Sequence, residues 1–319
     1  MHPPIEPYDH GRLDVGDGNL VYWETCGNPG GKPALVVHGG PGSGAGPVMR
    51  RFFDPRAYRV VLFDQRNCGR SLPPAADPRT DLSTLTTQSL VGDMERLRAH
   101  LAVDGWLLLG GSWGSTLALA YAEAHPEAVT ELVLFGVTTG RHSEMDSTFR
   151  GGLAQFFPQQ WDELVAALPE AERGGGADIV AAYARLLASP DAEVRRHAAE
   201  AWCTWESATP KLPPTMGLAR RFLDPDFAYA FARIVTHVVS HDAWLDDEEL
   251  LRGAHVLAET PVTLVNGRFD FQAPLGNAWE LKRVLPQAEL VIVDDAGHSG
   301  SDALDAAIVR ALDGYAACC

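Results

Sequence analysis

An apolar run, Trp106-Leu107-Leu108-Leu109, ends in Gly110-Gly111-Ser112-Trp113-Gly114 and passes directly into a helix-forming stretch around Ala118 to Ala124. A buried strand turning this sharply into a helix is the unit from which parallel sheets covered by helices are built. Gly110, Ser112 and Gly114 also spell G-x-S-x-G in the strand–turn–helix setting that exposes a serine nucleophile. A serine on so tight a turn needs small neighbours on both sides, and the turn lifts its hydroxyl above the sheet edge. The helix that starts there aims backbone N–H groups at any negative charge forming nearby. Ser112 is the candidate nucleophile. The bland alternative is a glycine-rich turn without chemistry, and other segments must decide between the two.

Upstream, the strand-like run Ala34-Leu35-Val36-Val37 ends in His38-Gly39-Gly40-Pro41-Gly42. Glycines at the end of a strand let backbone approach a reacting carbonyl closely, and such a loop donates one N–H to an oxyanion. Gly40 is the candidate donor there, with the N–H of Trp113, next after the serine, as its partner. Each such donor is worth roughly 10²–10³ in rate. Downstream, the strand Pro261-Val262-Thr263-Leu264-Val265 leads to Asn266-Gly267-Arg268-Phe269-Asp270. The strand Glu289-Leu290-Val291-Ile292-Val293 leads to Asp294-Asp295-Ala296-Gly297-His298-Ser299. Asp270 and His298 thus fall on loops at strand ends, in the serine–acid–histidine order that goes with a nucleophile elbow. Asp294 and Asp295 compete for the acid role but lie close in sequence to His298, so Asp270 is preferred. In this triad Ser112 attacks, His298 shuttles the proton and Asp270 fixes the imidazole tautomer.

A chain of 319 residues exceeds one average domain and can bury a large core. Strand candidates Val60-Val61-Leu62-Phe63 and Leu132-Val133-Leu134-Phe135, with a helix marked by Leu90, Met94, Leu97 and Leu101, continue the alternation to about residue 137. From about 140 to 255 only helical periodicity is visible, broken at Gly174-Gly175-Gly176 and Pro213-Pro214. The expected organisation is an α/β core of mostly parallel sheet wrapped by helices, residues 1–137 and 258–319, interrupted by a helical cap, residues 138–257.

No run of about 18 apolar residues is present, so no membrane span is expected. The opening Met1-His2-Pro3-Pro4-Ile5-Glu6 lacks a basic and then apolar leader pattern. Five cysteines, at 26, 68, 203, 318 and 319, show no metal-ligand spacing and suit a reducing, cytoplasmic setting. The net charge of −16 argues against nucleic acid as a partner. The oligomeric state is not readable.

Several segments together resemble the proline iminopeptidases, α/β-hydrolases that remove an N-terminal proline from peptides. They are His38-Gly39-Gly40-Pro41-Gly42, Asp64-Gln65-Arg66-Asn67-Cys68-Gly69-Arg70-Ser71, Gly110 to Leu117, Gly267-Arg268-Phe269-Asp270 and Gly297-His298. The resemblance runs nearly end to end and implies an α/β-hydrolase fold with Ser112, Asp270 and His298 as the triad, no metal and no cofactor, and a small-molecule or short-peptide substrate. It also implies a cap motif, here Trp202-Cys203-Thr204-Trp205-Glu206, whose glutamate binds the substrate's free amine. On a helix Trp202, Trp205 and Glu206 can face one cavity.

The match departs from the family at two places. Val235, in Ala232-Arg233-Ile234-Val235-Thr236-His237, stands where the family has a second glutamate. Ala273, in Phe271-Gln272-Ala273-Pro274, stands where it commonly has cysteine. Gly39, Trp202, Trp205, Glu206, Val235 and Phe271 form the expected substrate-binding set. Two other readings stay open: a hydrolase or acyl-transfer enzyme for another small amide or ester, and a ligand receptor on the same fold.

Overall fold

Leu107 and Leu109 point to one face of a sheet, and Trp106 and Leu108 to the other, and this period-two alternation recurs in the neighbouring strands. Both faces are apolar, so both must be covered. The computed structural model describes residues 1–174, 177–211, 213–214 and 216–316. Gly175, Gly176, Cys318 and Cys319 lie outside the described residues. Cys26, Cys68 and Cys203 are buried free thiols.

The eight strands are β1 (Pro7–Gly16), β2 (Asn19–Gly27), β3 (Lys32–Val37), β4 (Tyr58–Phe63), β5 (Trp106–Ser112), β6 (Val129–Val137), β7 (Val262–Gly267) and β8 (Glu289–Val293). They form one sheet in the order β1-β2-β4-β3-β5-β6-β7-β8. From β4 to β8 the neighbours are parallel, while β1, β2 and β4 pair antiparallel. The hairpin β1–β2 departs from the simple alternation expected. Its loop is Asp17-Gly18, both at positive φ, the two-residue turn that twists with its strands.

Helices α1 (Thr87–His100) and α2 (Trp113–Ala124) precede a wholly helical stretch. That stretch comprises α3 (His142–Phe149), α4 (Pro158–Ala166), α5 (Ile179–Leu187), α6 (Ala192–Ala208), α7 (Pro225–Ser240) and α8 (Glu249–Gly253), joined by 3-10 turns. The chain then returns to the sheet with α9 (Leu275–Val284) and α10 (Asp302–Ala316). Leu90, Met94 and Leu97 of α1 and Leu117 of α2 pack on the face of Leu108, while Leu304, Ile308 and Leu312 of α10 pack on the face of Leu107 and Leu109. A one-residue slip of β5 would exchange these two sets, so burial on both sides fixes its register. Among the described residues no helix is long and apolar enough to cross a membrane.

Because β3 and β5 to β8 run the same way, their carboxyl ends share one edge, where ligands bind in open α/β sheets. The loop after β4 braces that edge. Asp64 accepts from the N–H of Ala45 at 2.7 Å and from the Arg70 backbone and side chain at 2.8 Å. Gln65 donates to the His38 carbonyl at 2.8 Å and accepts from the Trp113 indole at 3.0 Å. It thereby ties the loop after β3 to the first residue of α2. Arg66 points the other way, into a paired contact with Asp93 of α1 at 2.6 and 2.8 Å, both side chains shut from water. Removing one partner of such a pair strands the other charge. Asp93→Asn is therefore expected to lower stability by about 3–5 kcal/mol in urea unfolding. A loss below about 1 kcal/mol would show that Asp17, at 3.0 Å from Arg66, compensates alone.

Candidate active site

Ser112 ends β5 and caps α2 with φ 57° and ψ −129°, a conformation that L-residues adopt under constraint. Such strain costs about 1–3 kcal/mol and must be held by its surroundings. The turn is tight enough that a Cβ on Gly110 would meet the Gly114 carbonyl oxygen at 2.4 Å. A Cβ on Gly114 would meet the Val37 carbonyl oxygen at 2.1 Å. Both motif glycines are thus demanded by close backbone approach. The Ser112 carbonyl accepts from Ser115 Oγ at 2.7 Å and from Thr138 Oγ1 at 2.8 Å, which pins the elbow to the end of β6.

Asp270 follows β7 and His298 follows β8. His298 Nδ1 donates to Asp270 Oδ2 at 2.8 Å, and the other carboxylate oxygen accepts from the N–H of Ala273 at 2.7 Å. Asp294, the sequence competitor, is exposed and bonded to Arg268 at 2.6 Å, and Asp295 is exposed. Ser112 and His298 line the same cavity, and the imidazole edge facing it is free of hydrogen bonds among the described residues. Burial works to lower the His298 pKa. The charge and hydrogen bond of Asp270, with the charge of Glu206, outweigh it and hold the pKa above the ordinary 6.5 despite Arg221.

Gly40 and Trp113 flank the serine. Trp113 opens α2, so its N–H has no acceptor within the helix, and no described acceptor takes the N–H of Gly40. These amides and the positive end of α2 suit an oxyanion.

Two cavities meet at the serine. The smaller, termed the inner cavity, is about 90 Å³ and is lined by Trp113, Thr138, Met145, Phe149, Val238 and Val239 among others. The larger, termed the outer cavity, is about 410 Å³ and holds Gly39, His298 and a group of basic side chains. Ser112, Gly40, Glu206 and Gln272 line both. Glu206 sits near the end of α6, and its Oε1 is shut from solvent without a hydrogen-bond partner. Burial raises its pKa to about 7, against the lowering influence of Arg221, His298, Trp202 and Gln272.

The other expected substrate-binding residues are placed differently. Trp202 and Trp205 do not line either cavity. Trp202 stacks on Phe149 at 5.7 Å, and Trp205 packs on Trp161 at 5.3 Å while its indole donates to the Thr148 carbonyl. They are walls behind the site, because α6 packs against α4, α5 and α7 and buries more than one of its faces. Val235 is fully buried in the apolar core and lines neither cavity, so an acid there would meet an apolar wall. Phe271 packs between Phe156 and Phe157, outside both cavities. Glu200 and Asp242, which could have replaced a missing carboxylate, are turned to Arg196 and Arg150.

Sequence reading missed Gln272, Glu144 and Arg221. Glu144 lines the inner cavity, but its carboxylate accepts from Thr139 at 2.7 and 2.8 Å and pairs with Arg141 at 3.0 Å. No signal in the sequence separates these residues from ordinary helix and loop polar positions. Among the described residues no group of three or more His, Cys, Asp or Glu is placed to hold a metal.

Residues 32–302 match the family described as the alpha/beta hydrolase fold. The chain is 53% identical to a probable proline iminopeptidase of Streptomyces coelicolor, over 99% of this chain and 98% of that protein. It is 44% identical to the proline iminopeptidase of Xylella fastidiosa, over 99% of each. Among solved structures, a proline iminopeptidase-related protein of Thermus thermophilus superposes with a TM-score of 0.62 at 22% identity, covering 98% of this chain and 99% of that one. The proline iminopeptidase of Mycobacterium smegmatis gives 0.60 at 18% identity, over 97% and 99%. At those identities the two structures speak for the fold alone.

The His298 environment yields a direct test. Glu206→Gln removes an anion that favours the imidazolium, so the His298 midpoint followed by NMR should lie above 6.5 in the native protein and fall in the variant. A midpoint that does not move would contradict the coupling between these two groups.

Proposed function

This chain belongs to the proline iminopeptidase family of α/β-hydrolases, and on that premise we propose that it is a serine aminopeptidase releasing an N-terminal proline, or a similarly compact residue, from small peptides or amides. The observation that carries this reading is Glu206. It places an unpartnered carboxylate oxygen where the inner and outer cavities meet, beside the serine. A substrate whose first residue fills the small, largely apolar inner cavity brings its ammonium to that carboxylate and its carbonyl to Ser112. Ammonium binding also stabilises the ionised form of Glu206 against its burial.

The chemistry follows from the groups present. Neutral His298 takes the Ser112 proton as Oγ attacks the carbonyl carbon, and Asp270 stabilises the imidazolium that forms. The N–H groups of Gly40 and Trp113 receive the charge that develops on the carbonyl oxygen. The imidazolium then returns the proton to the leaving nitrogen, the amine departs and an acyl-serine remains. Water, deprotonated by His298, attacks this ester, and the imidazolium returns the proton to Ser112 Oγ as the ester bond breaks and the free residue is released. Because the base works only when neutral, kcat/KM rises with pH through the raised pKa of His298.

A substrate panel tests the reading: prolyl, alanyl and N-acetylprolyl p-nitroanilides and a short-chain ester. The prolyl compound should be the best substrate. Ser112→Ala should abolish nearly all turnover while melting close to the parent. Glu206→Gln should raise KM for the free-amine substrate by about 10- to 100-fold, the worth of one charge-assisted hydrogen bond. The N-acetyl compound, which brings no cation, should hardly register the change. Faster turnover of the blocked amide or the ester than of the free prolyl amide would point instead to a hydrolase of neutral amides or esters.

A further inference from the structure

The outer cavity carries charge that the hydrolytic steps leave unused. Lys211, Arg220 and Arg221 line it and are absent from the inner cavity. In a chain of net charge −16, basic side chains gathered on one cavity call for a cause. Arg221 is the most telling. It lies in the 3-10 turn Arg220–Leu223 just before α7, with its guanidinium carbon 4.4 Å from the Phe222 ring centre and 5.2 Å from that of Phe231. Two aromatic rings position the planar group without consuming its N–H donors.

Other arginines near the site are neutralised: Arg66 by Asp93, Arg70 by Asp64 and Arg141 by Glu144. Arg221 has no carboxylate within ion-pair distance among the described residues and donates no hydrogen bond to them. Its side chain is open to the cavity, yet enough protein surrounds it for desolvation to lower its pKa, with Glu206 and Cys203 acting in the opposite direction. Glu206 and Arg221 thus feel one another across the cavity without pairing. A molecule with a cation at one end and an anion at the other satisfies both.

Resting on the aminopeptidase reading, we propose that Arg221 binds the α-carboxylate of the residue that follows the scissile bond, which makes prolyl dipeptides with a free C-terminus the preferred substrate class. His298 lines the outer cavity and not the inner one, so the leaving nitrogen receives its proton there. In a dipeptide the carboxylate is attached one carbon beyond that nitrogen, and it must therefore lie in the same cavity as the guanidinium. In a longer peptide or an amide this position holds a neutral carbonyl, which makes a weaker hydrogen bond to the same donors. Arg220 and Lys211 strengthen the positive potential around it.

The test compares kcat/KM for prolylglycine, prolylglycinamide and prolylglutamic acid α-amide in the native protein, Arg221→Gln and Arg221→Lys. The native protein should favour prolylglycine over its amide by about 10- to 100-fold. Arg221→Gln should bring that ratio towards one, and Arg221→Lys should keep part of it. A native ratio near one, or a ratio that survives in Arg221→Gln, would overturn the assignment while leaving the aminopeptidase reading intact. Equal rates for prolylglycine and the glutamic acid α-amide would also overturn it, because the carboxylate recognised would then be one on any side chain. Failure to hydrolyse any of the three would remove both readings together.

Discussion

One residue held in a left-handed conformation organises the site. Ser112 sits at φ 57° because β5 passes into α2 without a loop, and that passage is possible only where Gly110 and Gly114 let backbone meet backbone. The contact between Gly114 and the end of β3 also sets the distance from the serine to the glycine loop that supplies Gly40. The elbow is held from two further sides. Thr138, just beyond β6, bonds the serine's own carbonyl, and Gln65 links the Trp113 indole to His38. Strain of this kind persists where the surroundings over-determine it, which is the role of the Ser115, Thr138 and Gln65 contacts.

The electrostatics of the site divide in the same place as its shape. Glu206, at the junction of the cavities, is buried enough for its pKa to rise to about 7, and it supports a raised pKa on His298. Arg221 opposes the proton on both groups from the outer cavity. Glu206 and His298 therefore titrate as a coupled pair under the fixed positive charge of Arg221, and a ligand's ammonium or carboxylate shifts their balance as it enters.

Much of this was legible in the chain. Strand–turn–helix patterning marked the elbow because buried parallel strands leave continuous apolar runs, and Asp270 and His298 were marked by their position after such runs. The hairpin β1–β2 was not anticipated, although Asp17-Gly18 between alternating segments carries its signal. The helical stretch was harder. Spacing put Trp202, Trp205 and Glu206 on one side of α6, yet only Glu206 reaches a cavity, since the neighbouring helices bury the two tryptophans. Arg221 and Gln272 come to the serine from loops distant in sequence, and no local period encodes such a meeting.

The central claim is that the constrained Ser112 is an activated nucleophile. Reaction with a fluorophosphonate, followed by mass spectrometry of the digested protein, measures this most directly. Label should appear on the peptide carrying Ser112, disappear in Ser112→Ala, and form more slowly below the His298 midpoint, where the base is protonated. A folded protein that takes up no label, or takes it on another residue, would contradict it.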